Sequence, residues 1–223
     1  MEHRIVGTVL PVLEVTLQEG EQLVAEAGRL SWMQDMRLQT QAQGGFLRSM
    51  RRAVGGGTFF LTEFTPQGES GMVAFAARVP GEIVEVPVGE SQYLVHEHGF
   101  LCATTGIELS VGFQRSLGAG IFGGTGFVLQ RLAGNATAYV DLSGEVVRYD
   151  LAPGQVLQVQ PGHIGMFDAD MDFEIVTIPG VRNLFLGGDG LFLAQLRGPG
   201  TVWLQSMPLP HLASVIARYL PSK

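Results

Sequence analysis

Short apolar runs that alternate with polar residues follow one another along the chain, and glycines separate them. The run TVWL from Thr201 to Leu204 shows the alternation together with β-branched and aromatic residues. A period of two is typical of strands, because successive side chains of a strand point to opposite faces of the sheet. The pattern therefore predicts an all-β protein built from short strands joined by tight turns.

The strand pattern recurs three times at nearly constant spacing. Glycine runs open the segments GGGTFFL at Gly55, GGTGFVL at Gly123 and GGDGLFL at Gly187. A second motif keeps the same rhythm and ends at Gly28, Gly99 and Gly162. Self-similarity at a fixed period predicts repeated copies of one structural unit. We predict three β modules, with boundaries at 1–80, 81–145 and 146–223.

The glycine runs before apolar strands also suit a phosphate-binding loop. Such a loop needs a following helix that carries a Lys-Ser or Lys-Thr pair. Here Phe127, Val128 and Leu129 continue as a strand pattern, and no lysine follows. Glycine also supplies positive φ angles where strands turn or bulge. We therefore predict structural turns at Gly55, Gly56, Gly123, Gly124, Gly187 and Gly188.

Two segments depart from the strand period and predict short helices. The segment GGFLRSMRRAVGGG places Arg48, Arg51 and Arg52 opposite an apolar face, which predicts a helix at 46–54. These arginines form a candidate contact for anionic lipid or another anion. The C-terminal segment has Pro210 in its first turn and an apolar stripe at helical spacing, and it predicts a helix at 210–220.

Composition narrows the class of protein. The 223 residues are 46% hydrophobic and 16% charged, which suits a water-soluble protein with a sizeable core. The formal net charge of -7 disfavours general nucleic-acid binding, because a phosphate-binding surface needs surplus Lys and Arg. The single cysteine, Cys102, excludes an internal disulfide framework. The N-terminal segment lacks an apolar run of signal length, so we expect a cytoplasmic protein.

The segment VHEHGFLC carries a candidate metal site. His96 and His98 alternate along a predicted strand and so share a face, as two imidazole ligands require. With nearby Cys102 and with His163 of PGHIGMF, the pair half matches a cupin metal signature, but the glutamate of that signature is missing. The aligned positions of the other two modules hold no histidine, and His163 falls in a different module. We expect no bound metal and no cofactor.

The segment DADMDFE alternates acidic residues from Asp168 to Glu174, which predicts an acidic face on one strand. A calcium loop requires Gly at its sixth position and Glu at its twelfth, and Phe173 and Pro179 stand there instead. A solvated strand edge that opposes sheet-to-sheet association is the better interpretation.

Three longer segments resemble a known family. They are FGGTGFVLQRLAGNATAYVDLSGEVV, VQPGHIGMFDADMDFEI and LGGDGLFLAQLRGPGTVWLQS, and they look like the altered-inheritance-of-mitochondria family of bacteria and mitochondria, whose biochemical activity is not established. The resemblance runs from about Val12 to Ser206. It implies three modules of the β-sandwich or double-stranded β-helix type typified by the tryptophan RNA-binding attenuation protein, and trimers that form a ring of nine modules. RNA binding is not implied, because no Lys or Arg ladder recurs between modules.

Three classes of function follow from these observations. No nucleophile, base and oxyanion donors share a spacing, which favours a non-enzymatic, ring-forming oligomeric scaffold or binding module. Association between chains is expected, because the lateral strand edges of the first and last modules have no partner within the chain, and the resemblance implies that the assembly is a homotrimer. The alternatives are a cupin-like metal-dependent enzyme that uses His96 and His98, and a peripheral membrane organiser with weak membrane-surface contact. The second alternative is suggested by the mitochondrial family members and by the helix with three arginines.

Overall fold

The structure is a computed structural model that describes residues 1–40, 61–115, 127–178 and 191–220. Strand β1 at Glu2–Val6 comes first. The next strands are β2 at Val12–Gln18, β3 at Leu23–Glu26, β4 at Trp32–Gln34, β5 at Met36–Thr40, β6 at Leu61–Pro66 and β7 at Ser70–Ala76. They are followed by β8 at Gly81–Val88, β9 at Tyr93–His96, β10 at Phe100–Thr104, β11 at Ile107–Arg115, β12 at Phe127–Gly134 and β13 at Ala136–Ser143.

The last part of the chain adds strands and one helix. The strands are β14 at Val146–Leu151, β15 at Val156–Val159, β16 at Ile164–Asp168, β17 at Asp172–Ile178, β18 at Leu191–Arg197 and β19 at Gly200–Gln205. A 3-10 turn at Pro161–His163 precedes β16, and helix α1 spans Leu209–Ala217. The all-β class with a C-terminal helix is therefore confirmed.

One antiparallel pairing scheme recurs along the chain. Strand β2 pairs with β7, and the same pairing joins β8 to β13 and β14 to β19. Strand β7 also pairs with β4, as β13 pairs with β10 and β19 with β16. The other strands form the three-stranded groups β5-β6-β3, β11-β12-β9 and β17-β18-β15.

Two further pairings join these groups into larger sheets. Strand β3 pairs with β10, where Ala25 lies opposite Cys102, and β9 pairs with β16, where Val95 lies opposite Met166. The result is sheet A with the order β1-β2-β7-β4, sheet B with β5-β6-β3-β10-β13-β8, sheet C with β11-β12-β9-β16-β19-β14, and sheet D with β15-β18-β17. Sheets A and D thus contain fewer strands than sheets B and C, which lie between them.

Three apolar clusters hold successive sheets together. Alternate residues of β2 are buried, which places one face of sheet A against sheet B. The cluster between A and B includes Leu13, Val15, Phe75, Leu101 and Tyr139. The cluster between B and C includes Val86, Val95, Val140, Met166 and Leu132. The cluster between C and D includes Phe167, Ile175, Leu196, Val202 and Val159.

Two predictions need correction. The single acidic strand from Asp168 to Glu174 is wrong, because β16 ends at Asp168 and β17 begins at Asp172. The chain reverses between them, where the Met171 N–H donates to the Asp168 carbonyl at 3.1 Å. Backbone hydrogen bonds in the turn between Asp168 and Asp172 thus outweigh the alternation that predicted one strand.

The C-terminal helix ends at Ala217, three residues before the predicted end.

Several predicted features lie outside the described residues. They are the helix at 46–54, its side chains Arg48, Arg51 and Arg52, and the glycine turns at Gly55, Gly56, Gly123, Gly124, Gly187 and Gly188.

Candidate functional site

A buried arginine joins the end of β3 to strands β10 and β13. The Arg29 guanidinium donates from Nε to Glu26 at 3.1 Å and from Nη1 to Asp141 at 3.1 Å. Its Nη2 donates to the backbone carbonyls of His98 and Phe100. Only 4% of Arg29 is exposed. Two carboxylates therefore neutralise this cation, and its donors hold the segment before β10 in place.

The carboxylate of Asp141 is the most buried partner in this cluster, with 7% of its side chain exposed. Burial raises its pKa, and the Arg29 charge and hydrogen bond oppose that rise. Its Oδ1 is one of the buried side-chain oxygens with no hydrogen-bond partner among the described residues. Asp141 thus takes most of its compensation from Arg29 and a smaller part from the charge and backbone N–H of Arg78, as a buried charge requires partners.

His96 and His98 lie beside this cluster, but the predicted strand carrying both is wrong, because β9 ends at His96 and His98 follows it. Their ring centroids are 5.6 Å apart, and the His98 N–H donates to Nδ1 of His96 at 3.2 Å. Burial, together with the neighbouring His98 and Arg29 charges, lowers the pKa of His96 to about 4. A neutral His96 that already accepts a hydrogen bond beside a buried arginine is a poor cation site.

The other metal-ligand candidates do not join the histidine pair. Cys102 is fully buried in the apolar cluster between sheets A and B, where burial raises the pKa of its thiol. His163 lies in the 3-10 turn, where its Nδ1 bonds the Gln205 carbonyl at 2.8 Å and its ring lies 5.6 Å from that of His211. In the described ranges, no group of three or more His, Cys, Asp or Glu residues is placed to hold a metal ion.

Strand β4 of sheet A and strand β15 of sheet D are short outer strands that carry exposed apolar residues. Strand β4 is the outermost strand of sheet A, and all three of its residues are exposed, with Trp32 at 46% and Met33 at 41%. Strand β15 is the outermost strand of sheet D, and Val156 is 41% exposed. By contrast, β10 and β16 are almost wholly buried, because β3 and β9 cover their edges.

A third exposed apolar surface lies on β14, the outer strand of sheet C. Val147 and Tyr149 are each 44% exposed there. The matching residues of β8, Val84 and Val86, pack into the cluster between sheets B and C. We call the exposed apolar surfaces of β4, β14 and β15 the open ends of the described part of the chain.

Sequence reasoning also missed Arg29, although a signal for it exists. Arg29 directly follows Gly28, and the corresponding residues after Gly99 and Gly162 are Phe100 and His163. A charged residue where the two matching motifs hold rings marks a local exception. Its partner Asp141 is remote in sequence, so the pairing itself required the structure.

Comparison with known proteins places these features in a family. A family model described as mitochondrial biogenesis AIM24 matches residues 3–207. The chain belongs to the AIM24 family. The matched region contains the Arg29 cluster, both histidines of the pair and the open ends, and it stops just before helix α1.

Two relatives extend the comparison. An uncharacterised protein of Streptococcus pyogenes serotype M6 is 25% identical over 221 residues, which is 95% of this chain and 88% of that protein. An X-ray crystal structure of a protein from Streptococcus pyogenes matches with a TM-score of 0.77 and 21% identity, covering 98% of this chain and 99% of that one. The second match shows a shared fold across the whole chain.

None of the helices in the described part of the chain is long and apolar enough to span a membrane.

Proposed function

We propose that this AIM24-family chain is a non-enzymatic scaffold or binding module, and that three copies associate head to tail into a ring of nine modules. The modules are residues 1–80, 81–145 and 146–223. The observation that carries the proposal is that sheets A and D are complementary halves of the larger sheets B and C. General nucleic-acid binding is not part of the proposal, because the net charge is -7.

Sheets B and C each combine two groups of three strands. In sheet B the group β5-β6-β3 meets β10-β13-β8, and in sheet C the group β11-β12-β9 meets β16-β19-β14. Sheet D supplies a further group of the first kind, which ends in β15, and sheet A supplies one of the second kind, which ends in β4. Pairing β15 of one chain with β4 of the next therefore completes a sheet like B and C.

The repeat alignment assigns a register to this contact. Trp32 matches Met166, because each lies four residues after its motif glycine, Gly28 or Gly162. Met166 lies opposite Val95 of β9. The residue of β15 that matches Val95 is Val159, because both lie opposite equivalent residues of the next strand, Gln130 and Ala194. We therefore place Val159 of one chain opposite Trp32 of the next.

The same contact covers the exposed residues of β14. Met166 packs into the cluster that contains Val86 of β8, and Trp203 packs against that cluster. In the ring, Trp32 takes the position of Met166, and Val147 and Tyr149 take the positions of Val84 and Val86. Covering three half-exposed apolar side chains supplies a hydrophobic contribution in addition to the strand pairing.

A contact between unlike ends repeats without a two-fold axis, and a fixed rotation at each step closes it into a ring. The number of three chains comes from the resemblance to the superfamily of the tryptophan RNA-binding attenuation protein. The neutralised charge of Arg29 fits a scaffold, because that cation is used to join strands and is not free to hold an anion.

The mass of the assembly tests the proposal. Light scattering of the wild-type protein is expected to give a mass near three times the 24.0 kDa chain. Trp32→Glu places a charge in the contact and is expected to release single chains. Leu38→Glu is the matched control, because Leu38 is 39% exposed on β5, an outer strand of sheet B that the proposed contact leaves uncovered. A monodisperse wild-type monomer at micromolar concentration would refute the ring.

A further inference from the structure

We infer that helix α1 of one chain docks onto an apolar surface around the β1–β2 turn of the next chain. This inference rests on the proposed ring. The helix contributes a stripe made of Leu212, Val215, Ile216 and Tyr219, which we call the helix stripe. The receiving surface, which we call the N-terminal patch, is made of Ile5, Val6, Val9 and Leu10.

The helix stripe is left uncovered within its own chain. Helix α1 has no buried residue, and Val215, Ile216 and Tyr219 are 51%, 49% and 84% exposed. Leu212 is half-buried, and the contacts of α1 with its own chain include the His211 ring, which lies beside His163 and within 3.3 Å of the Gln160 amide. A helix of nine residues is marginal in water without an apolar face that packs. The stripe therefore needs a partner surface.

The N-terminal patch is equally uncovered. All five residues of β1 are exposed, and in the turn that follows Val9 is 66% and Leu10 is 52% exposed. Beside the patch lies a cleft of about 360 Å³ lined in part by Ile5, Val9, Pro11 and Ile83. Two exposed apolar surfaces in one chain, one of them beside a cleft, are typical of a contact between copies.

The links between modules place these two surfaces at the same junction. The N–H of Gly81, the first residue of β8, donates to the Val9 carbonyl in the link before β2 at 3.0 Å. One module later, the Gly144 N–H donates to the Pro80 carbonyl at 2.7 Å. After β19, the Met207 N–H donates to the carbonyl of Ser143, the last residue of β13, at 3.1 Å. Each link, or the strand end next to it, thus lies against the link or strand end before it in the chain.

Continuing this order around the ring brings two chain segments together. The link that follows β13 is also the link that precedes β14, because only Gly144 and Glu145 separate these strands. By the same geometry, the link that follows β19 of one chain lies where β2 of the next chain begins. Helix α1 starts at Leu209, directly after that link, and the N-terminal patch ends at Leu10, directly before β2.

The charges of the C-terminal segment and of the cleft also favour helix α1 of a second copy of this chain as the occupant. Glu82 and Glu145 also line the cleft beside the N-terminal patch. The segment 207–223 carries Arg218 and Lys223 and no acidic residue. A basic helix end facing two carboxylates adds a favourable, salt-dependent contribution to an apolar contact. A second copy of this chain therefore fits the helix stripe in position, shape and charge.

Paired charge substitutions test the docking. Val215→Lys/Ile216→Lys alters the helix stripe, and Ser214→Lys/Ala217→Lys adds the same charge on the opposite, exposed face of α1. The stripe variant is expected to raise the protein concentration at which the trimer half-dissociates by roughly tenfold or more, because it removes apolar contact area. The control variant is expected to leave that concentration within about twofold of wild type. Leu10→Lys is expected to match the stripe variant.

Cross-linking between chains gives a second measurement that does not depend on stability. A chain with Leu10→Cys is mixed with a chain with Ile216→Cys and oxidised mildly, while the native Cys102 stays buried. A disulfide forms only where the two Cα atoms come within about 7 Å, so covalent dimers are expected from this mixture. A mixture of Leu10→Cys with Ala217→Cys chains is the control and is expected to remain uncross-linked.

The outcomes separate this inference from the ring itself. A wild-type monomer refutes the proposed function and the docking together. A wild-type trimer with no cross-link, and with equal dissociation of the stripe and control variants, overturns the docking and leaves the ring standing. Sedimentation with vesicles of phosphatidylglycerol and phosphatidylcholine is the final arm. If the stripe variant loses vesicle binding but keeps the trimer unchanged, the helix stripe serves a membrane surface and the docking is wrong.

Discussion

At the scale of single residues, Arg29 makes hydrogen bonds to four different residues. It reaches two carboxylates and two backbone carbonyls from a buried position. Removing one partner of a buried ion pair costs more than the pair contributes, because the remaining charge stays buried without compensation.

Arg29→Ala is therefore expected to lower the free energy of unfolding by about 3–5 kcal/mol, measured by urea denaturation at fixed protein concentration. Glu26→Gln is the milder comparison, since 25% of the Glu26 side chain is exposed and water can replace part of the contact. Its expected loss is about 1 kcal/mol. Equal losses for the two variants would show that Arg29 is not the centre of the cluster.

His96 predicts a dependence of stability on pH. Its pKa is lowered to about 4 from an ordinary value of 6.5, so the unfolded chain binds the proton more tightly. The stabilisation from neutral His96 is fully present above pH 6.5 and is lost as the pH falls through about 4. The loss amounts to up to about 3 kcal/mol.

Urea titrations at several pH values between 7 and 4 measure this effect. The stability of His96→Gln is expected to fall less steeply over this range than that of wild type, because glutamine does not titrate. His211→Gln, on exposed helix α1, is expected to keep the wild-type slope. Parallel curves for wild type and His96→Gln would contradict the assignment.

At the scale of elements, the hairpin β11–β12 depends on close approach of two glycines. Gly134 has a φ of +98°, and a Cβ added there would collide with the carbonyl oxygen of Gly106. Gly20 has a similar φ of +85°, but nothing lies within 4 Å of an added Cβ. The two positions share the backbone strain of a left-handed residue and differ in space.

Gly20→Ala is expected to cost about 1–2 kcal/mol, the strain of an L-residue in the left-handed region. Gly134→Ala is expected to cost at least about 2 kcal/mol more, because the hairpin must also open to admit the methyl group. Thermal and urea unfolding of both variants check the difference. A similar loss for both would mean that strain alone explains the glycine at 134.

At the scale of the whole molecule, the proposed ring predicts that stability depends on protein concentration. In that ring, strands β4 and β15 and the exposed side chains of β14 are covered only when chains associate, so dilution removes stabilisation by mass action. The melting temperature of wild type is expected to fall on each tenfold dilution. Trp32→Glu is expected to melt at one temperature throughout. A wild-type melting temperature that stays constant over a hundredfold range would argue against the ring.

Much of the architecture was accessible from the sequence. Alternating apolar runs predicted an all-β chain, and the helical stripe after Pro210 predicted the C-terminal helix, because both periods arise from the local backbone geometry of each element. His96 and His98 were predicted to share one face of a strand, but β9 ends at His96, so His98 lies beyond the strand. The acidic run from Asp168 to Glu174 shows the limit, since the same alternation also fits two strands joined by a tight turn.

The tertiary structure alone decided how strands of different segments associate. Strand β3 pairs with β10 of the following group, and Arg29 meets Asp141 although 112 residues separate them. Such contacts depend on which edges and charges meet after the sheets stack, and a local pattern carries no information about distant partners. The sequence by itself determined the all-β class and the C-terminal helix, because both follow from local periods. Only the packing of the sheets determined which strands form the outer edges of each sheet, because edge exposure is a property of the assembled sheets.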